Sequence, residues 1–342
     1  MRTRLLLLRG LVLPFWLAST PAIAQEKTDW TEAVVSVRDP MTATRLFREA
    51  GGWRISDKGA LSSTEIAYWR LPATASGAFV RICAPQAITG CIRFVTFDNV
   101  VQKPIRLAAR PWDTGGIFSI MVRSDNVQAL FEQAIGMGWW AESEPIGFQF
   151  MGSDLRNVVL TGPHGINIAV YERKSPPFTA FPVGRISQGF NAMRFVRDQK
   201  ASVAFYRDKL GFNPVFDGDS VDSAPSASNF SIPRNLTTSI LRRAAALRPR
   251  QSEAGRIEVM QLVGLEGRDL SAGASPPNLG IVSVRYPVDD LAAYRRTLAA
   301  RHVAIAYEAR DVAVAGIGTV DLFAVRDPDG SLTEFYQTHR AR

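Results

Sequence analysis

The fold is decided by the stretch Val325-Arg-Asp-Pro-Asp-Gly-Ser-Leu-Thr-Glu-Phe-Tyr-Gln337. Its Asp-Pro-Asp-Gly segment is typical of a tight turn, because proline and glycine supply the backbone angles that such a turn requires. After the turn the side chains alternate as on a strand, so that Leu332, Glu334 and Tyr336 share one face. A carboxylate in the middle of such a strand is a ligand, an acid or base, or one partner of a structural ion pair.

The same plan of strand, capping acid or amide, and amphipathic helix occurs four times along the chain. The predicted helices are 40–50, 127–137, 199–210 and 291–300. Strand-like runs follow each helix, for example 65–71, 157–160, 237–241 and 319–323. Each unit is therefore predicted to be βαβββ, and the apolar helix stripes are predicted to be core.

A proline-rich joint divides the chain into two similar halves. We predict an N-terminal half at 27–173, a linker at 174–185 and a C-terminal half at 186–340. The third unit carries irregular inserts at 217–229 and 244–254, and loops of this length are usually lids or disordered.

Two segments of the chain suggest a family. One is the closing strand described above, and the other is Phe195-Val-Arg-Asp-Gln-Lys-Ala-Ser-Val-Ala-Phe-Tyr-Arg-Asp-Lys-Leu-Gly-Phe212. Together they resemble the vicinal oxygen chelate superfamily of glyoxalase, bleomycin resistance and extradiol dioxygenase proteins. The resemblance implies an α+β fold in which four βαβββ modules pair into two cup-shaped half-barrel sheets. We expect each half of the chain to form one cup. Function does not follow from the fold, which hosts enzymes and sequestering proteins alike.

The resemblance also implies metal ligands on the first and last strands of the units. Those positions here carry Glu32, Ser119, Asn191, Ser283, Thr96, Ala169, Gln261 and Glu334. The three histidines, His164, His302 and His339, lie elsewhere. Because transition metals favour imidazole, thiolate or several carboxylates, we expect neither a transition metal nor another cofactor.

Glu334 and Glu32 are the candidate catalytic acids or bases, since a desolvated carboxylate can accept a proton. The candidate ligand-binding residues, taken from strand alternation and from one possible covering loop, are Arg285, Ser283, Asn191, Gln261, Tyr336, Ser119, Arg123, Tyr171 and Trp112. Arg285 could hold an anion with two parallel hydrogen bonds. Two alternatives stay open: an Arg285–Glu334 ion pair that orders the sheet, and a Trp112 segment that is only a linker.

Three functions are compatible with these residues. The first is a metal-independent lyase or isomerase acting on a small aromatic or anionic metabolite. The second is a non-catalytic binding or sequestration protein, and loss of the metal ligands favours it. The third is a metal-dependent glyoxalase or dioxygenase, which Glu334 alone supports. A homodimer is compatible with each of them.

Residues 1–24 are typical of a secretory signal, with basic Arg2 and Arg4, an apolar middle and the small-residue site Ala22-Ile-Ala24. A membrane anchor is the alternative, but Arg9 interrupts the short apolar run. We therefore expect a periplasmic or secreted protein with no membrane span after cleavage.

Removal of the signal's three arginines lowers the net charge from +8 to +5. The basic residues are scattered along the chain, so we predict no nucleic-acid binding. Cys83 and Cys91 stand at the two ends of a predicted hairpin. They form a disulfide in an oxidising compartment or remain two small buried thiols.

Overall fold

The computed structural model describes residues 29–106 and 108–339. The predicted signal sequence lies outside the described residues. No helix in the described part of the chain is long and apolar enough to cross a membrane.

The four predicted units are present, each with a helix between its first strand and the strands that follow. The first unit comprises β1 (Glu32–Ser36), α1 (Pro40–Glu49), β2 (Arg54–Ala60), α2 (Ser63–Tyr68), β3 (Ser76–Cys83) and β4 (Cys91–Asp98). The second comprises β5 (Ser119–Arg123), α3 (Val127–Gly136), β6 (Trp140–Ala141), β7 (Ile146–Phe150), β8 (Ser153–Thr161) and β9 (Asn167–Ser175).

The third unit comprises β10 (Asn191–Phe195), α4 (Gln199–Ala204) with a π-helical continuation (Phe205–Lys209), β11 (Asn213–Ser220), β12 (Leu241–Arg248) and β13 (Arg256–Val263). The fourth comprises β14 (Gly280–Pro287), α5 (Leu291–Ala300), β15 (Ile305–Val314), β16 (Gly318–Arg326) and β17 (Leu332–Thr338). Short 3₁₀ turns occur at Pro163–Gly165, Arg234–Leu236 and Ser271–Gly273.

The predicted helix starts are confirmed. Asp39, Asn126, Asp198 and Asp290 each accept a backbone N–H of the first helical turn. Such caps satisfy donors that the helix itself cannot pair. The predicted turn before β17 is also present, with Gly330 at φ 80° and its N–H donated to the Asp327 carbonyl at 2.9 Å.

The pairing of the units differs from the expectation. One sheet has the order β15-β16-β17-β14-β1-β4-β3-β2, and the other has β11-β12-β13-β10-β5-β9-β8-β6, with β7 on β8. The first unit thus joins the fourth, through antiparallel β1 and β14, and the second joins the third, through β5 and β10. The prediction that each half makes one cup is wrong, because similar modules carry no local signal for which first strands will pair. We call the concave faces cup 1/4 and cup 2/3.

The main hydrophobic core lies on the other face of each sheet. It contains residues of all four long helices, among them Phe47, Leu130, Val203 and Leu298, and of both sheets. Because strand side chains alternate, the remaining residues of the central strands point into the cups.

The run predicted as a strand at 65–71 instead begins in helix α2. Ser62 accepts the N–H of Glu65 at 3.0 Å, which is the Ser-x-x-Glu signature of a helix start. The strand interpretation missed this signature because the bulky residues that follow also suit a strand.

The structure joins Cys83 and Cys91 in a disulfide across the β3–β4 hairpin, with their Cα atoms 4.4 Å apart.

Candidate functional site

Cup 1/4 collects the predicted site residues from the two ends of the chain. In register, Glu32 on β1 lies opposite Arg285 on β14, and Arg285 lies beside Glu334 on β17. Ser283 and Tyr336 face the same interior, and all five are buried. With one cup per half of the chain, Glu32 is expected in a different cup from the other four, so their proximity depends on the pairing of the first unit with the fourth.

Arg285 binds three carboxylates at once. Its Nε donates to Glu334 at 2.6 Å, and its Nη1 donates to Glu32 at 3.0 Å. Its Nη2 lies 3.4 Å from Glu65 of helix α2. Ser283 Oγ donates to the other oxygen of Glu334 at 2.8 Å. The guanidinium that was a candidate for binding an external anion is therefore already paired.

Two further arginines complete this network. Arg81 Nε donates to Glu32 at 2.8 Å, and the fully buried Arg93 donates to Glu65 at 3.0 Å. Burial by itself would raise the pKa of Glu32, but the charges of Arg93, Arg285 and Arg81 outweigh it and hold that pKa below its ordinary value. Three guanidinium groups thus balance three carboxylates, which favours the structural interpretation of the Arg285–Glu334 pair over the catalytic one.

Helix α2 fills the rest of cup 1/4. Ile66, Tyr68 and Trp69 from this segment are buried in the cup's own apolar cluster, which also contains Leu332 and Tyr336. The cup is therefore occupied by the protein's own chain. A ligand could reach Glu334 only if helix α2 left its place.

The residues of cup 1/4 do not fit the metal that the family resemblance implied. The carboxylate oxygens of Glu32 and Glu334 receive hydrogen bonds from guanidinium groups, and Ser283 adds only a hydroxyl. Transition-metal sites assemble three or four free, strong donors. Within residues 29–106 and 108–339 the one cluster of three metal-ligating side chains is Asp311, Asp321 and His339, which lies on the edge of the sheet.

Cup 2/3 brings together predicted residues from the second and third units. Met121 on β5 lies opposite Asn191 on β10, and Ser119 lies opposite Met193. Tyr171 belongs to the same apolar cluster as Met121 and Met193. Asn191 and Ser119, which the sequence analysis placed in separate cups, therefore share one interior.

Glu258 is the carboxylate of this cup, and the sequence analysis missed it. Asn191 Nδ2 donates to Glu258 at 2.9 Å and also contacts the Met121 sulfur at 3.2 Å. Burial raises the pKa of Glu258 to about 7, although the hydrogen bond from Asn191 and the charge of Arg256 oppose the shift. The signal that could have found it is the alternation of β13, on which Glu258, Met260 and Leu262 share a face.

Gln261 lies on the other face of β13, so its prediction as a cup residue is wrong. Its Nε2 donates to the Arg197 carbonyl at 2.7 Å, and its Oε1 accepts the N–H of Gln199 at 3.2 Å. These contacts are at the start of helix α4. The spacing taken from the family resemblance was one residue out of register, and on a strand one residue reverses the face.

Two buried oxygen atoms of cup 2/3 have no hydrogen-bond partner among the described residues. They are Ser119 Oγ and Asn191 Oδ1. Both side chains are at most 2% exposed. An unpaired buried polar atom costs about 1–3 kcal/mol, so a donor supplied by a ligand would be stabilised here.

Arginines line the rim of cup 2/3. Burial, followed by the charge of Arg173, lowers the pKa of Arg123 to about 10. Arg123 Nη2 lies 4.0 Å from Glu253 Oε2. The other oxygen of Glu253 lies closer to Arg256, at 2.7 Å from its Nη2. The Arg123 guanidinium stacks on Phe178 of the proline-rich joint, 4.0 Å from the ring centre. The rim therefore carries more positive than negative charge.

The irregular insert between β11 and β12 covers cup 2/3. Ile232 from this insert belongs to the cup's apolar cluster, and Phe230 and Trp112 pack against the same cluster. Asn229 Nδ2 donates to Asn157 Oδ1 of β8 at 2.8 Å. We call residues 221–240 the lid, because they close the cup and are anchored by a small number of polar contacts.

The family comparison agrees with this geometry. The sequence model of the Glyoxalase/Bleomycin resistance protein/Dioxygenase superfamily matches residues 190–335. Residues 190–335, which span the third and fourth units, therefore resemble this superfamily in sequence. A comparison with curated proteins found no match.

Solved structures share the fold of this chain over most of its length. Glyoxalase I from Zea mays is 13% identical, covers 92% of this chain and 93% of its own, and has a TM-score of 0.60. A point mutant of the same enzyme is 15% identical over 92% of this chain and 93% of its own, also with a TM-score of 0.60. A putative dioxygenase from Bacillus subtilis is 12% identical over 93% of this chain and 87% of its own, with a TM-score of 0.56. At these identities the likeness establishes the α+β fold of paired half-barrel sheets.

Proposed function

We propose that the protein binds a small aromatic or anionic metabolite in cup 2/3, and that Glu258 exchanges a proton with it without a transition metal. The observation that carries the proposal is the pairing of Glu258 with Asn191 in an otherwise apolar cup, which also contains the unpartnered Ser119 Oγ. Small-molecule sites usually combine an apolar wall with a few convergent polar groups.

The polar groups define what the ligand would offer. A hydroxyl or N–H group would donate to Asn191 Oδ1, and an anionic group would approach the Arg123 guanidinium at the rim. The aromatic body would lie against Met121 and Met193. A carboxyl whose pKa is near 7, such as Glu258, is well matched to general acid–base chemistry at neutral pH.

Binding in cup 2/3 requires the lid to move, because Phe230 and Ile232 occupy part of the cup. Asn229 anchors the lid by donating to the Oδ1 and the carbonyl of Asn157 and by accepting a hydrogen bond from Ser143, and Asp222 adds an ion pair with Arg242 of β12. Lids of this kind open and close around ligands in many enzymes.

We also propose that the protein is exported. The disulfide between Cys83 and Cys91 supports export, because disulfides persist in oxidising compartments and are rare in cytosolic proteins.

A non-catalytic binding protein is the alternative, and the closed state of both cups favours it. The two functions are separable by Glu258→Gln, which keeps the size of the side chain and its hydrogen bond to Asn191 but removes the titrating proton. Catalysis would fall by about 10²–10⁴-fold, whereas binding would survive. The metal-dependent alternative has less support, since neither cup offers a set of free, strong donors.

The test is a thermal-shift screen of aromatic carboxylates and phenols, followed by calorimetric titration of the hits. Asn191→Ala should abolish binding of a true ligand, and Glu258→Gln should keep it. Glu308→Gln, which alters only an exposed ion pair with Arg295, is the control. Hits that bind equally to the wild type and to Asn191→Ala would rule out cup 2/3 as the site.

A further inference from the structure

A cleft of about 640 Å³ lies at the end of helix α2. Its walls come from residues 69–71, the π-helical turn Phe205–Lys209, the loop at 276–277 and the start of β15. None of the residues proposed above for ligand binding lines this cleft. Its volume is within the range of small-molecule sites, about 300–1,000 Å³.

The cleft is strongly cationic. Arg70, Lys209 and Arg326 line it, and no aspartate or glutamate does so among the described residues. In the described part of the chain, none of these three cations forms an ion pair with a carboxylate. Uncompensated positive charge in a concave site attracts anions, since its walls concentrate the field.

Neutral carbonyl groups position two of the cations without cancelling their charge. Lys209 Nζ donates to the Arg301 carbonyl at 2.7 Å. Arg326 Nη1 donates to the carbonyls of Ala274 and Gly330 at 3.1 and 2.9 Å. The charges are therefore held in place and remain available to a ligand.

Aromatic groups stand beside these cations. The guanidinium carbons of Arg70 and Arg326 lie 5.4 and 5.8 Å from the ring centre of Tyr307. Trp69 also lines the cleft, and its buried Nε1 donates to no acceptor among the described residues. Flat guanidinium groups and aromatic rings together form a surface on which a planar ring can stack.

We propose that this cleft is a second binding site, specific for an aromatic phosphomonoester. A phosphomonoester carries a charge of about −1.5 to −2 at neutral pH, which three unpaired cations balance better than they balance a single carboxylate. The aromatic part stacks against the Tyr307 and Arg70 surface. This inference goes beyond the proposed function of cup 2/3 and does not depend on it.

The test is calorimetric titration of the full mature protein with 1-naphthyl phosphate at constant ionic strength. The comparison ligands are 1-naphthol, 1-naphthoate and inorganic phosphate. The phosphomonoester should bind at least about tenfold more tightly than each of the three, because only it supplies both the ring and the dianion. Higher salt should weaken its binding.

Variants locate the site. Arg70→Gln alters an exposed residue, and Arg70→Gln combined with Lys209→Gln removes two of the three cations. The double variant should weaken binding of 1-naphthyl phosphate by at least about tenfold. Arg45→Gln, which alters only an exposed pair with Glu49 on α1, should have no effect, and Arg123→Gln at cup 2/3 should have none either.

Four results would overturn the proposal. The first is no saturable binding of 1-naphthyl phosphate at millimolar concentration. The second is equal binding of 1-naphthol or 1-naphthoate that the Arg70 and Lys209 double variant weakens as much as it weakens binding of the phosphomonoester. The third is equal binding of inorganic phosphate, which would indicate an adventitious ion only. The fourth is an affinity that falls in Arg123→Gln but not in the Arg70 and Lys209 variants, which would move the site to cup 2/3.

Discussion

Replacing Glu334 by glutamine should destabilise the protein rather than remove a catalytic group. Glu334 accepts the 2.6 Å hydrogen bond from Arg285 Nε and the 2.8 Å bond from Ser283, and both partners are buried. The three guanidinium groups and three carboxylates of the cup 1/4 network sum to zero charge, and glutamine would leave one guanidinium uncompensated. Breaking a buried ion pair by removing one partner costs about 3–5 kcal/mol, so we expect a loss of that size in the free energy of unfolding.

Urea denaturation of the wild type and of Glu334→Gln measures this change. The matched control is Glu308→Gln, since Glu308 also pairs with an arginine at 2.6 Å but at 41% exposure. Exposed pairs contribute about 0–1 kcal/mol, so the control should change stability little. If Glu334→Gln were as stable as the control, the network would not be structural. If a ligand-dependent activity also vanished from that stable variant, Glu334 would regain a catalytic role.

Three further predictions concern pH, metal and processing. Glu258 is neutral in both states below pH 4.5, and between pH 4.5 and about 7 only the folded state keeps its proton. Unfolding free energy should therefore decrease as pH rises through that window, by at most about 1.4 kcal/mol per pH unit, and Glu258→Gln should remove this slope in urea titrations. Elemental analysis after native purification should find no stoichiometric iron, manganese or zinc; one tightly held ion per chain with chelator-sensitive function would contradict the donor argument. Mass spectrometry of protein from a native-like host should find an N-terminus at Gln25 and no free thiol at Cys83 or Cys91, whereas intact Met1 in soluble cytosol would exclude export.

The candidate site could be predicted only in part from the sequence. The prediction that Leu332, Glu334 and Tyr336 share one face of β17 is confirmed, because side chains on a strand alternate with a period of two wherever the strand lies. The prediction that Gln261 lies in a cup is wrong because its position on the strand was taken from the spacing in the resembling family. An error of one residue moves a side chain to the opposite face of the sheet. The alternation of β13 by itself would have selected Glu258.

Helix α2 shows a different limit. The capping signature at Ser62 and Glu65 was present in the sequence, and it predicts a helix start. That this helix would enter cup 1/4 and place Glu65 on Arg93 depends on contacts between residues far apart in the chain. No local sequence pattern predicts that a helix will pack inside the concave face of a sheet.

The sequence by itself determined the four modules, the starts of helices α1, α3, α4 and α5 and the family resemblance, because caps, alternation and turns are local and act over a few residues. The tertiary structure decided which modules share a sheet, since the β1–β14 and β5–β10 pairings join segments separated by most of the chain or by the joint between its halves. That choice placed Glu32 beside Arg285 and Glu334, and Ser119 beside Asn191. As a result, cup 1/4 contains a network of paired charges, whereas cup 2/3 contains the carboxyl of Glu258 and two oxygen atoms, Ser119 Oγ and Asn191 Oδ1, without partners among the described residues. The physical reason is that charge balance and burial depend on distance in space, and similar repeated modules do not specify their partners locally.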